Sequence, residues 1–222
     1  FKMGKAKVKR ASTSIDMTAM CDVSFLLLTF FVLTATARQP EALTVDTPAS
    51  TTKDKLPDSN VGMITIGDQG KVFFGTTDQQ VRVKALERMS AKYGVGFSQE
   101  DYDRFKLMEN FGVPMSKLKG LLALDGSKRT EKGLQTGIPV DSTENTSNEL
   151  YYWVQNARLA AEEVNKEKEA SDKNFVHPGP LKMAIKADAN EKYPSVNLVI
   201  ETLRNQKQNK FSFITGMRAE EK

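Results

Sequence analysis

Hydrophobic and polar positions divide the chain into three regimes. From Met17 to Ala37 the sequence MTAMCDVSFLLLTFFVLTATA is apolar apart from hydroxyls and one acid, Asp22. A helix rising 1.5 Å per residue needs about 20 residues to cross a hydrocarbon core of ~30 Å, so this run predicts one membrane-spanning helix over 17–37. At about 100° per residue, Thr18, Asp22, Thr29 and Thr36 fall on one stripe, while Leu27, Leu28, Phe31 and Ala35 take the far side. An ionised carboxylate at the centre of a span costs about 2.5–3.5 kcal/mol, so Asp22 is expected to face protein or water. It lies six positions in, roughly 9 Å deep, and the cytoplasmic interface is a second possible setting.

Between Arg38 and Asn60 the pattern changes to Pro, Thr, Ser and Asp. Pro40, Pro48 and Pro57 exclude long regular structure, and the stretch reads as a tether. From Val61 short alternating runs begin. A strand around Met63 and Thr65, a turn at Asp68-Gln69-Gly70 and a return over Lys71 to Phe74 predict a hairpin. Val83, Leu86 and Met89 then mark a helix over about 79–93 that Gly94 ends, and Ser98 with Asp101 starts another. Leu118, Leu121 and Leu122 suggest a short helix, and residues 125–147 read as a long surface loop. Thr146 and Glu149 form a capping-box pair ahead of Leu150, Trp153, Val154, Ala157, Ala161 and Val164, a stripe at helical spacing that predicts Trp153 in the core. Leu181 to Ala187 alternate as a strand, Asp188-Ala189-Asn190 turns the chain, Pro194 opens a helix bearing Val199 and Leu203, and Lys210 to Thr215 forms a last strand. The expected fold class is α/β: an N-terminal transmembrane helix and a small domain with helices on one face of a mixed sheet.

Charge adds orientation. The chain carries a net +4, but Lys2, Lys5, Lys7, Lys9 and Arg10 crowd the first ten positions, while only Arg38 is basic in the fifteen residues after the apolar run. That asymmetry argues against a nucleic-acid surface and puts the N-terminus in the cytoplasm, with everything after Arg38 outside. The same basic arm, with Ala35-Thr36-Ala37, also fits a signal peptide, a reading set below that of a retained anchor. The single cysteine, Cys21, is expected to pack as a small hydrophobe. His177 has no second histidine or thiol at ligand spacing, and GDQGK at 67–71 is too short for a phosphate loop, so neither a metal nor a cofactor is called for. No nucleophile, base and orienting acid stand at recognisable spacing, and no catalytic residue is assigned.

Three blocks together resemble the ExbD/TolR family of bacterial inner-membrane proteins. They are SIDMTAMCDVSFLLLTFFVLTA at 14–35, with Thr18 and Asp22 at the family's Thr and membrane Asp; TVDTPAST at 44–51; and the run from Lys182 to Thr215 with IKAD at 185–188 and IETL at 200–203. The sequence departs from the family at Ala19, where a proline is usual, and at Thr47, where a leucine is usual. Residues 80–146 have no counterpart in shorter members and read as an insertion whose charges, including Lys117, Lys119, Lys128 and Arg129, form a solvated face. The helix from Leu150 to Val164 then takes the place of the family's first soluble helix.

The resemblance implies a basic cytoplasmic arm at 1–16, the membrane helix at 17–37, a periplasmic linker at 38–60, a periplasmic α/β domain at 61–216 and a tail at 217–222. It implies an energy-transducing subunit of a proton-driven motor in the bacterial inner membrane, powering TonB-dependent transport at the outer membrane. Asp22 would carry the proton beside Thr18, Thr29 and Thr36. The implied partners are a second copy of the chain, a ring-forming ExbB/TolQ-like channel subunit and a TonB-like or TolA-like periplasm-spanning protein. Val45, Asp46, Pro48, Ala49 and Ser50 would form a partner or regulatory segment, pairing as a strand with a partner or with their own domain. The alternative is a signal-anchored periplasmic module of a TolQ-TolR-like envelope-maintenance system that grips the cell wall or a partner.

Overall fold

The computed structural model describes residues 17–34, 42–43, 45–50, 57, 59–131, 133–143, 145 and 147–217. The basic arm, Thr36, Thr146 and the end of the tail, on which expectations were placed, lie outside the described residues. The chain divides into two compact units, Phe1–Arg38 and Gln39–Lys222.

The first unit holds one helix, α1 (Met17–Thr34), of 18 residues. At 1.5 Å per residue it rises about 27 Å. Among the described residues no helix is long and apolar enough to cross a membrane. The helix is described as far as Thr34, and the three residues that complete the span expected over 17–37 lie outside the described residues.

The second unit is built on a four-stranded mixed sheet. Strands β2 (Val61–Gly67) and β3 (Lys71–Thr76) form the expected antiparallel hairpin, with Gly67 opposite Lys71. Asp68, Gln69 and Gly70 all take positive φ at its tip. Gly70 is needed there twice over: its φ is +89°, and a Cβ would lie 2.9 Å from Ser195 Oγ. Strand β4 (Lys182–Ala187) pairs in parallel with β2, and β5 (Phe211–Ile214) pairs in parallel with β4. The order is β3-β2-β4-β5. A two-residue pair, β1 (Ala49–Ser50) with β6 (Gly216–Met217), stands apart from the sheet and is also parallel.

The helices between β3 and β4 are α2 (Gln79–Tyr93), α3 (Gln99–Lys106), α4 (Met115–Ala123), α5 (Gly126–Arg129) and α6 (Glu149–Ser171); α7 (Tyr193–Asn205) links β4 to β5. Local chemistry sets several ends as the sequence predicts. Gly94, at φ 66°, closes α2 and donates its N–H to the Ser90 carbonyl. Ser98 and Asp101 form a complete capping box on α3. The start of α6 differs. Asn148 caps it, its side-chain oxygen accepting the Tyr151 N–H at 3.1 Å, while Glu149 reaches away to accept the Met115 N–H at 2.7 Å. A carboxylate there meets the free donors at the start of α4, which Pro114 cannot satisfy with a side chain.

The core forms where these helices meet one sheet face. Ile64, Ile66, Val72, Phe74, Met183 and Ile185 share a buried cluster with Leu86, Met89, Leu150, Val154, Ala157, Val199 and Leu203. Trp153 is buried as expected, 4.7 Å between ring centroids from Phe111 and 6.0 Å from Phe105. Pairs Lys84–Glu167, Arg88–Glu163 and Lys168–Asp78 tie α2 to α6 along their outer rims.

Residues 125–147 are not the free surface loop the composition predicts. Ile138 donates its N–H to the Val72 carbonyl at 2.8 Å, and Phe111 exchanges two backbone hydrogen bonds with Phe74, so both segments cover the outer edge of β3. Ile138, Gln135 and Arg129 are buried, which also removes Arg129 from the expected solvated face. An uncovered strand edge leaves a row of backbone donors and acceptors open, and this stretch closes it.

Candidate functional site

Asp22 sits on α1, is exposed, and is the only charged residue of that helix. A helix apolar all round belongs in an apolar setting. Here Met20, Val23, Phe25, Leu27, Leu28, Phe31 and Leu33 are all exposed, so apolar side chains are available on every side of the helix, and the far side expected to be apolar is only part of that surface. Cys21 is exposed too, in place of the packed position expected of it.

Helical geometry holds from Thr18 through Thr29, which puts Thr18, Asp22 and Thr29 on one face. Thr29 does not serve the acid directly. Its hydroxyl donates to the Leu26 carbonyl at 2.9 Å, and seven residues of rise set it about 10 Å along the axis from Asp22. Ser24, which the sequence reading passed over, bonds back to the Met20 carbonyl at 2.8 Å. Such back-bonding satisfies a hydroxyl within its own helix where no solvent does.

The second expected site is the segment after the helix. Val45 is buried. Its Cγ1 lies 2.7 Å from where a Cβ on Gly67 would stand, with Leu43 Cδ2 at 3.1 Å, so the bare end of β2 is what lets the segment approach. The Asp46 carbonyl accepts the Ala189 N–H at 2.8 Å. Pro48 is exposed, and Ala49 and Ser50 form β1 on β6. Of the two pairings left open for this segment, the structure shows the one with its own domain; it is a docked strap where the composition predicts a loose tether.

The other residues weighed take structural places. Asp188 accepts the Asn190 N–H at 2.8 Å in a turn, and its own N–H bonds to Ile66. His177 Nδ1 accepts the Gly179 N–H at 3.0 Å, and no group of His, Cys, Asp or Glu among the described residues could hold a metal ion.

The family model for the biopolymer transport protein ExbD/TolR matches residues 8–94. That range takes in α1, the docked segment, the hairpin and all of α2, so it enters the stretch that the sequence reading treats as an insertion from residue 80. The Lys182–Thr215 block lies beyond it. No curated protein and no solved structure matches the chain. Over residues 8–94, which include Asp22 and its helix, the chain is therefore similar to the ExbD/TolR family of biopolymer transport proteins.

Proposed function

We propose that the chain is the energy-transducing subunit of a proton-driven motor in the bacterial inner membrane, of the ExbB-ExbD kind, and that it powers TonB-dependent transport. The observation that carries this reading is Asp22, the one charge on an apolar helix within the matched residues. In this reading α1 anchors the chain with its N-terminus in the cytoplasm and the unit 39–222 in the periplasm. Two copies of the helix stand inside a ring of ExbB/TolQ-like subunits, and a TonB-like or TolA-like protein receives the work.

The chemistry follows from what a carboxyl group does out of water. Protonated, Asp22 is neutral and tolerates apolar neighbours; ionised, it needs a polar partner, and Thr18 lies one turn away on the same face. A change of charge at this position therefore favours different surroundings in its two states. Each proton crossing supplies about 2.3 kcal/mol per 100 mV for that exchange. The reading assigns no enzymatic step.

Co-expression of Asp22→Asn with the ring-forming partner, followed by proton uptake into vesicles and TonB-dependent uptake in cells, tests the proposal. The substitution should abolish both while the complex still assembles; wild-type flux in the assembled D22N complex overturns it. The family match embraces TolR-type envelope maintenance as well. A module that only grips the cell wall keeps its function when residues 17–37 are exchanged for an unrelated apolar helix, and the motor does not.

A further inference from the structure

Two guanidinium groups meet beyond the matched residues, in a part of the chain the motor reading does not use. A cavity of about 230 Å³ lies beside α3 and α5, with Arg104, Arg129, Glu109, Asn110, Gln135 and Ala42 in its wall. Arg104 Nη1 and Arg129 Nη2 both donate to one atom, the Leu122 carbonyl oxygen, at 2.9 and 3.0 Å. The two like charges are thereby held side by side. Arg104 also bonds to Glu100 at 2.5 Å. Arg129 is only 9% exposed, bonds otherwise to the Leu124 carbonyl at 2.8 Å, and has no carboxylate of a described residue in ion-pair contact.

Holding a buried cation beside a second cation is unfavourable unless an anion offsets them. Burial, and next the charge of Arg104, both push the Arg129 guanidinium below its ordinary range, with Asp125 opposing them only in part. The acid in the wall, Glu109, acts instead on Arg82. Asn110 contributes a further polar group: its carbonyl oxygen accepts the Ala42 N–H at 3.1 Å, which leaves its amide NH₂ as a donor. Guanidinium forks match the paired oxygens of carboxylate and phosphate. The volume falls below the roughly 300–1,000 Å³ of sites for drug-sized ligands, which suits a ligand of few atoms.

We propose that this cavity binds a small oxyanion, a carboxylate or phosphate group, between Arg104 and Arg129. The site lies outside residues 8–94, and it stands or falls independently of the motor reading.

Isothermal titration of the full chain in detergent micelles with inorganic phosphate, with acetate and with short-chain phosphatidylglycerol tests it. Saturable binding of at least one probe is expected, weakened tenfold or more by Arg104→Gln and by Arg129→Gln and unchanged by Arg158→Gln. Glu109→Gln, which removes the competing acid, should tighten binding about threefold by weakening a charge repulsion near the surface. That gain cannot come from a folding defect. Tighter binding of phosphatidylglycerol than of phosphate assigns the oxyanion to a lipid headgroup, and the reverse assigns it to a free anion; either supports the site. Absence of saturable binding by all three probes overturns the proposal, as does an affinity that R104Q and E109Q both leave unchanged.

Discussion

Arg82 offers the sharpest test of how the two halves of the domain are joined. It lies on α2, inside the matched residues, and is 7% exposed. Its Nε donates to the Thr76 carbonyl at 2.8 Å, its Nη1 to the Lys106 and Met108 carbonyls at 2.8 and 2.7 Å, and its Nη2 to the Thr77 carbonyl at 3.3 Å. Two of these acceptors close the C-terminal end of α3, where carbonyls have no partner within the helix and a cation is favoured. Burial pushes the guanidinium down, Glu109 and Asp78 push it back up, and an arginine stays charged throughout. Removing a charged donor from three short hydrogen bonds costs about 1.5–3 kcal/mol for each, and relief of the buried charge returns several kcal/mol. Arg82→Met, which preserves the apolar stem, should therefore destabilise the domain by about 2–4 kcal/mol; Arg82→Lys, with the charge but not the fork, should cost about half as much. Urea unfolding read by Trp153, the single tryptophan, gives the difference, because that ring lies against Phe105 and Phe111 next to the stapled segment. Amides of residues 107–113 should also exchange faster with solvent in R82M. A stability within about 0.5 kcal/mol of wild type, the range of an ordinary surface change, would show that the desolvation cost cancels the bonds and refute the reasoning.

Gly75→Ala should cost at least about 3 kcal/mol by the same measurement, because a Cβ there would stand 1.8 Å from the Glu109 carbonyl oxygen and force β3 away from the segment leading to Phe111; a near-neutral result would mean that this edge contact is not made. Burial pushes the Glu149 carboxyl above its ordinary 4.5, the Met115 N–H offsetting only part. Its folded pKa exceeds the unfolded one, so its contribution is full below pH 4.5 and is lost as pH rises through the folded value; the urea midpoint of wild type should fall relative to that of Glu149→Gln over this window. Asp78 has the opposite sign. Burial alone would raise it, but hydrogen bonds from Lys168 and the Gln80 N–H outweigh burial and hold it below 3.8. Its contribution is present above pH 3.8 and fades as pH falls through the folded value, so Asp78→Asn should flatten the acid limb while leaving the Glu149 window unchanged.

What could be read in the sequence was whatever depends on local chemistry. The hairpin, the stop at Gly94, the box of Ser98 and Asp101 and the apolar stripe of α6 all rest on neighbours within a few residues, and all are present. Asp22 was legible for the same reason, as one acid in an apolar run. The strap at Leu43 to Ser50 was not, because its docking depends on the missing side chain of Gly67 and on Ala189, far along the chain. Composition read the stretch 125–147 as polar and therefore loose. Its polar groups are instead bound: Gln135 accepts the Gly112 N–H at 2.6 Å and donates to the Arg129 carbonyl at 2.9 Å, and fully buried Asn148 donates to Asp141 and Thr202. Arg104 and Arg129 carried no signal either, since basic residues on a short polar helix or in a polar loop ordinarily face water and only the shared Leu122 carbonyl brings them together.

The same contacts decide what residues 95–145 are. An insertion appended to an already complete domain would leave the core intact when cut out. Here Phe105, Phe111, Leu118, Leu122 and Ile138 are buried in one cluster with Ile64 and Phe74 of the hairpin and with Trp153 of α6. Burying a large apolar side chain contributes about 1.5–3 kcal/mol, so these five supply on the order of 8–15 kcal/mol. That equals the whole net stability of an ordinary domain, about 5–15 kcal/mol. Deleting 95–145 should accordingly unfold the unit 39–222, with loss of the urea transition read by Trp153, and complex formation would fail for that reason alone. A deletion variant that kept a cooperative transition would show the hairpin, α2 and α6 to be a self-sufficient core. The match ending at residue 94 therefore does not mark a boundary in the folded domain: α2 lies within it, α6 lies beyond it, and the two are joined along their length by Lys84–Glu167, Arg88–Glu163 and Lys168–Asp78.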